Sequence, residues 1–250
     1  MRLRIALLMF GLLAAVATVS CSNGSGANDA DGDKLRVAVV TGEHAFDVPN
    51  FYRLFRELPG VDAYPQHIEH FASSSEEIRD AYDVVVFYGM GRDAVPVDEG
   101  PQTDYAGEPK AAIERLAERG QGVVIMHHAL LAWTQWDLWN ELCGFDDRNF
   151  GFKEGIDLKI EIADDKHAIT KGLDPFEIHD EGYTLHGKHD GKGTVLLTVD
   201  HERAMDEVAW VRQQGKSNVF CLALGHDDKA WTNPAFRDLL RRGIKWSADE

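Results

Sequence analysis

The chain has 11 histidines, and four of them stand where an apolar run breaks off. Val123 to Met126 ends in His127-His128, and VFCLAL (residues 219–224) ends in Gly225-His226-Asp227-Asp228. The first strand-like run after the amino-terminal region stops at Thr41-Gly42-Glu43-His44. A separate stretch, Glu177-Ile178-His179-Asp180-Glu181-Gly182-Tyr183, sets a histidine directly before two carboxylates. Imidazole titrates near neutrality, so it can take and return a proton, and a neighbouring carboxylate orients and charges it. The same donors can hold a divalent cation such as zinc. These types and positions make His127, His128, His179, Asp180 and Glu181 candidates for acid–base work. His44, His128, His179 and His226 are candidate metal ligands, while Glu43, His44, Tyr88, Trp133, His226, Asp227 and Trp231 are candidates for lining a substrate pocket. The structural alternatives are a histidine that anchors a turn, a solvated turn at 179–181 and a helix cap at 226–227.

The spacing also excludes some chemistry. A tight turn after a parallel strand is where α/β hydrolases and amidotransferases expose a nucleophile. No Ser or Cys stands beside His127-His128, so covalent catalysis of that kind lacks its nucleophile. No H-E-x-x-H or C-x-x-C occurs, so a metal site rests on convergence of separate segments. Adjacent side chains diverge, which predicts that only one of His127 and His128 faces a pocket. Trp133, Trp136 and Trp139 recur every three residues. On a helix they would cover a broad face, serving as core or bordering the pocket where an aromatic ring stacks on a sugar.

The positioning elements follow from periodicity. Leu35–Thr41 reads as a strand, Val48–Leu58 as a helix ended by Pro59-Gly60, Val61–His70 as a partly exposed strand, and Asp83–Tyr88 as a buried strand. Ser73-Ser74-Ser75-Glu76-Glu77 reads as a helix start, Gly89–Gly107 as a long loop, and Pro109–Arg119 as a helix leading to the Gly122 strand. Strands alternating with helices predict an α/β fold with a parallel sheet covered on both faces and its chemistry at the strands' C-terminal ends. The second half is more β-rich. Ile156–Ile162, Thr194–Val199, Val208–Arg212 and Asn218–Leu224 read as strands, and Pro234–Ser247 as a closing helix.

Residues 1–20 carry Arg2 and Arg4, an apolar run from Ile5 to Val19, and Ser20 before Cys21. The run is short for a membrane span and reads as a secretion signal. Thr18-Val19-Ser20-Cys21 is similar to a bacterial lipobox, with Thr18 in a position usually held by an aliphatic residue, and Ala15-Val16-Ala17 suits ordinary signal cleavage. The lipoprotein reading makes Cys21 the acylated residue, residues 21–33 a flexible tether and 34–250 one domain, exported and held to the membrane only through its lipid. Formal charge is −16, and losing Arg2 and Arg4 leaves 24 basic against 42 acidic residues, or −18. That surface argues against binding nucleic acid or an anionic polymer as the main substrate. Cys143 and Cys221 do not imply a disulfide framework, and Cys221 in VFCLAL reads as a small core residue.

Six strings in order, VVTGEHAF, GVVIMHHAL, HAITKGL, FEIHDEGY, VAWVR and LGHDDKAWTNPAF, resemble the trehalose-utilisation (ThuA-like) family from about Arg36 to the C-terminus. The resemblance implies a flavodoxin-like fold of the class I glutamine amidotransferase type without the catalytic cysteine, His127 standing at or beside the amidotransferase elbow. By matching motifs it groups His44, His128, His179, Asp180, Glu181, His226 and Asp227 as site residues. Glu43 departs from the glycine often found there. The resemblance implies a role in the use of trehalose or a related or oxidised disaccharide. A sugar-binding or interaction module on a degenerate amidotransferase-like fold is the alternative.

Overall fold

The computed structural model describes residues 34–91 and 107–249. The expected leader, the tether with Cys21 and most of the 89–107 loop lie outside the described residues. Among the described residues, nine strands form one sheet in the order β2-β1-β3-β4-β9-β8-β7-β5-β6. The strands are β1 (Leu35–Thr41), β2 (Val61–His67), β3 (Val84–Phe87), β4 (Gly122–Met126), β5 (Phe150–Ile162), β6 (Phe176–Leu185), β7 (Thr194–Val199), β8 (Glu207–Gln214) and β9 (Ser217–Leu222). The first five in that order pair parallel and the rest antiparallel. The expected parallel sheet is therefore one half of a mixed sheet, and the β-rich second half extends the same sheet.

Burial explains the parallel half. Val84–Phe87 and Gly122–Met126 are buried at every position, as strands covered on both faces must be. The helices that cover them carry apolar residues at helical spacing. In α1 (Val48–Arg56), Asp47 caps the N-terminus and Phe51, Leu54 and Phe55 face inward. In α4 (Pro109–Arg119), proline opens the helix, Gly120 closes it at φ 85°, and Ala112, Ile113 and Leu116 are buried. In α7 (Pro234–Ala248), the Asn233 side chain accepts from Ala235 N and Phe236 N, and Phe236, Leu239, Leu240 and Ile244 form the buried stripe.

Four expectations need correction. Val61–His70 is strand only to His67, whose imidazole then caps α2 (Ile68–Ser73). Ser75 caps only a single helical turn, α3 (Glu76–Arg79). The tryptophans do not share a helix: a 3-10 turn spans His127–Leu131, and α5 (Asp137–Cys143) contains Trp139 alone. Most consequential is β6, which the sequence reading treated as a polar segment. Its Asp180 and Glu181 are buried by tertiary contacts that no local pattern reveals, while Glu177 is exposed. Among the described residues no helix is long and apolar enough to cross a membrane. A single turn, α6 (Asp228–Trp231), follows the β9 end.

Candidate functional site

The strand order 2-1-3-4 reverses between β1 and β3, so their C-terminal ends splay and leave a crevice at the switch point. The turns there come very close: a Cβ on Gly89 would lie 2.8 Å from the backbone N and O of Gly42. Thr41, Gly42, Glu43, Gly89, Gly91 and Trp133 line this corner. Beside it β4 ends, and its last residue is followed by His127 in the left-handed region at φ 50°. Glu43 (φ 62°) and Trp133 (φ 43°) are the other two non-glycine residues described with positive φ. Such conformations cost about 1–3 kcal/mol each and persist where surrounding contacts enforce them.

The corner at His127 overturns the expectation that one of the two histidines points away. The left-handed residue turns the chain sharply, and His127 and His128 are both buried, with ring centroids 4.5 Å apart. His127 Nδ1 lies 2.7 Å from the Ala223 carbonyl, which can only accept, so Nδ1 carries the proton in the neutral ring. That leaves the Nε2 lone pair toward the site, 2.7 Å from the Tyr183 hydroxyl and 3.1 Å from Glu181 Oε2. His128 has neither ring nitrogen hydrogen-bonded among the described residues. Burial, then the neighbouring His127, His44 and His226, hold its pKa well below the usual imidazole value. His44 stacks on it at 3.6 Å, and burial lowers its pKa too.

Glu181 and Tyr183 arrive from β6, far from β4 in sheet order, which requires the antiparallel half to bring β6 back over the parallel strands' ends. Burial raises the Glu181 pKa, but the His127 hydrogen bond and charge, Tyr183 and His226 outweigh it and lower the pKa overall. Burial first, then Glu181, pushes the Tyr183 hydroxyl well above its ordinary value. One donor atom from each of His127, His128, Glu181 and His226 lies within 4.8 Å of the others. These types suit zinc or a similar divalent cation.

Other residues position this group. Asp180 is buried, and its two oxygens accept backbone N–H bonds from Gly225 (2.6 Å), His226 (2.9 Å) and Glu181 (2.9 Å). Burial raises its pKa, while His127 and these donors oppose the rise. With its oxygens so engaged, Asp180 holds the His226 turn rather than facing the cluster. Tyr88, buried and with its phenol pKa raised first by burial, donates to the His226 carbonyl at 2.9 Å. Asp227 caps α6 and lies 3.5 Å from His226 Nδ1. Trp231 is buried and donates to the Gly225 carbonyl, and Trp133 is also buried, so neither offers an open stacking face. His179 stays outside the cluster, its Nδ1 2.6 Å from Asp157 Oδ1 across the β5–β6 ladder. Glu43 is exposed at the crevice.

Sequence reasoning missed Tyr183 as a site residue and missed Arg148. Reading 177–183 as a strand would have found Tyr183, because period-two alternation sets His179, Glu181 and Tyr183 on one face. Arg148 had no signal. Its buried guanidinium donates to the carbonyls of Leu130 (2.7 Å), Ala132 (2.5 Å) and Trp133 (2.8 Å), fixing the chain that leaves the histidine corner.

A sheet of this order, with a strained corner after its fourth strand, defines the class I glutamine amidotransferase-like fold, here with histidine at the corner. A ThuA-like protein from Parabacteroides merdae ATCC 43184 superimposes with a TM-score of 0.68 at 17% identity, covering 86% of this chain and 90% of that one. A cytoplasmic protein from Salmonella typhimurium gives 0.61 at 13%, covering 86% and 100%. A glutamine amidotransferase from Thermotoga maritima gives 0.54 at 14%, covering 86% and 99%. Identities this low establish the fold alone. No curated protein matches the sequence. The ThuA profile, described as trehalose utilisation, matches residues 37–247. The chain belongs to the ThuA family, which ties it to carbohydrate utilisation.

Proposed function

We propose that this protein is an exported, lipid-anchored enzyme that moves protons at a carbon of trehalose or a related or oxidised disaccharide. The observation that carries the catalytic part of this reading is the convergence of His127, His128, Glu181 and His226 donor atoms within 4.8 Å, among them a buried His128 with both nitrogens unpartnered. An unsatisfied buried polar group costs about 1–3 kcal/mol, which a bound ligand or cation would recover.

His127 is the base. The Ala223 carbonyl holds its Nδ1 proton, so the Nε2 lone pair faces the Tyr183 hydroxyl through which a proton can reach it, and Glu181 Oε2 at 3.1 Å stabilises the imidazolium formed when Nε2 takes a proton. Tyr183 keeps its proton, because burial raises its pKa, and its hydroxyl at 2.7 Å can relay that proton to or from Nε2. A divalent cation such as zinc, held by His128, His226 and Glu181, would polarise a sugar oxygen. Hydrolysis, elimination and isomerisation of a sugar each use such a proton transfer. The acidic sequence disfavours a polyanionic substrate.

Metal analysis of purified protein and turnover assays on trehalose and 3-keto-disaccharides test this reading. His127→Ala is expected to lower turnover by about 10²- to 10⁴-fold. Unchanged turnover in both His127→Ala and His128→Ala refutes the acid–base assignment, and saturable sugar binding without product marks a receptor instead. Mass spectrometry should find an acylated N-terminal Cys21, whereas a mature start at Thr18 contradicts the anchor.

A further inference from the structure

We infer that Phe152 is the stacking platform for the second ring of a disaccharide bound at this site, an inference that rests on the carbohydrate reading above. The two tryptophans expected to line the pocket, Trp133 and Trp231, are 7% and 1% exposed and cannot present a ring face to a sugar. Phe152 is 62% exposed, the most exposed of the large apolar side chains described.

Its place in the ladder directs it to the site. Phe152 pairs with Tyr183 in the antiparallel β5–β6 register. Directly paired residues share a face, so Phe152 lies on the face from which Tyr183 reaches His127 Nε2 at 2.7 Å. Phe150 is on that face too, its ring 6.3 Å from the Tyr183 ring. The opposite face is taken: a Cβ on Gly182 would lie 2.6 Å from the Arg203 carbonyl oxygen and 3.1 Å from the Ala204 Cβ. Paired strands put Cα atoms about 5 Å apart. Phe152 therefore stands one residue's width from Tyr183, at a reach that suits the ring next to the one undergoing reaction. A pyranose has an apolar face of axial C–H bonds, and an exposed phenyl ring on the strand face that carries Tyr183 matches it. The β5 residues that follow Phe152, from Lys153 to Gly155, are exposed as well, leaving room for the sugar.

The test uses the full chain with trehalose, 3-keto-trehalose and glucose, measuring kinetics and calorimetric binding. For Phe152→Ala, the disaccharide KM should rise about 3- to 10-fold, as expected for loss of one aromatic contact, with kcat within about twofold and glucose binding unchanged. Phe152→Trp should restore the wild-type KM. Should Phe152→Ala keep the wild-type KM while His127→Ala abolishes turnover, the platform is wrong and the catalytic reading stands. No binding or turnover of any of these sugars by the wild type overturns both. A change confined to self-association, read by sedimentation, also overturns the platform.

Discussion

Asp180→Asn is the sharpest probe of how the site is held. The carboxylate accepts three backbone N–H bonds, two of them from Gly225 and His226 in the turn that presents a candidate ligand. Asparagine keeps the shape but has one accepting oxygen. If that oxygen keeps the His226 and Glu181 donors, the amide NH2 faces the Gly225 N–H, donor against donor, at a contact now 2.6 Å long. The loss of one charge-assisted bond and the orphaned N–H together cost about 3–5 kcal/mol. Removing a buried charge returns part of this, since burial disfavours the ionised form, so a net loss of about 2 kcal/mol is expected. For a domain of this size that lowers Tm by about 4–8 °C. Because the turn carries His226, divalent-metal affinity should also weaken by about 10- to 100-fold, the usual effect of losing a residue that orients a ligand. Thermal unfolding and zinc titration, each against wild type, measure the two effects. Unchanged Tm and unchanged affinity would show that Asp180 does not hold the turn.

Two further outcomes follow from the geometry. His127→Gly should be more stable than His127→Ala by about 1 kcal/mol, because both lose the ring contacts but only alanine keeps a Cβ at φ 50°; urea midpoints in the reverse order would deny the strain at this corner. The Asp190 carboxylate takes two hydrogen bonds from the nearly buried Arg212 guanidinium, at 3.2 and 2.9 Å. Burial raises the Asp190 pKa, but Arg212 and the Lys192 N–H outweigh it and the pKa is lowered from 3.8. A lowered carboxylate pKa contributes stability above the unfolded value that is lost as pH falls through the folded value. Asp190→Asn should therefore cost about 1–2 kcal/mol at pH 7, discounted for partial exposure, with the difference shrinking below about pH 4. A pH-independent difference counts against the ion pair as its source.

The sequence by itself determined the parallel half of the sheet and its rim. Val84–Phe87 and Gly122–Met126 are uniformly apolar because they are covered on both faces, and the polar residues just after such runs had to gather at the strands' C-terminal ends. His44, His127, His128 and His226 were legible as neighbours for that reason. What only the tertiary structure decided was which carboxylate and hydroxyl they meet. Segment 176–185 carries charge on both faces, so its local pattern resembles a polar turn. Its polar residues are accommodated because Asp180 accepts from the N–H groups of Gly225 and His226, the Tyr183 hydroxyl meets His127 Nε2 and Glu181 lies beside that same nitrogen, all distant in sequence. The left-handed corner at His127 and the Arg148 guanidinium that ties down the chain beyond it likewise arise from long-range contacts, which no periodicity encodes.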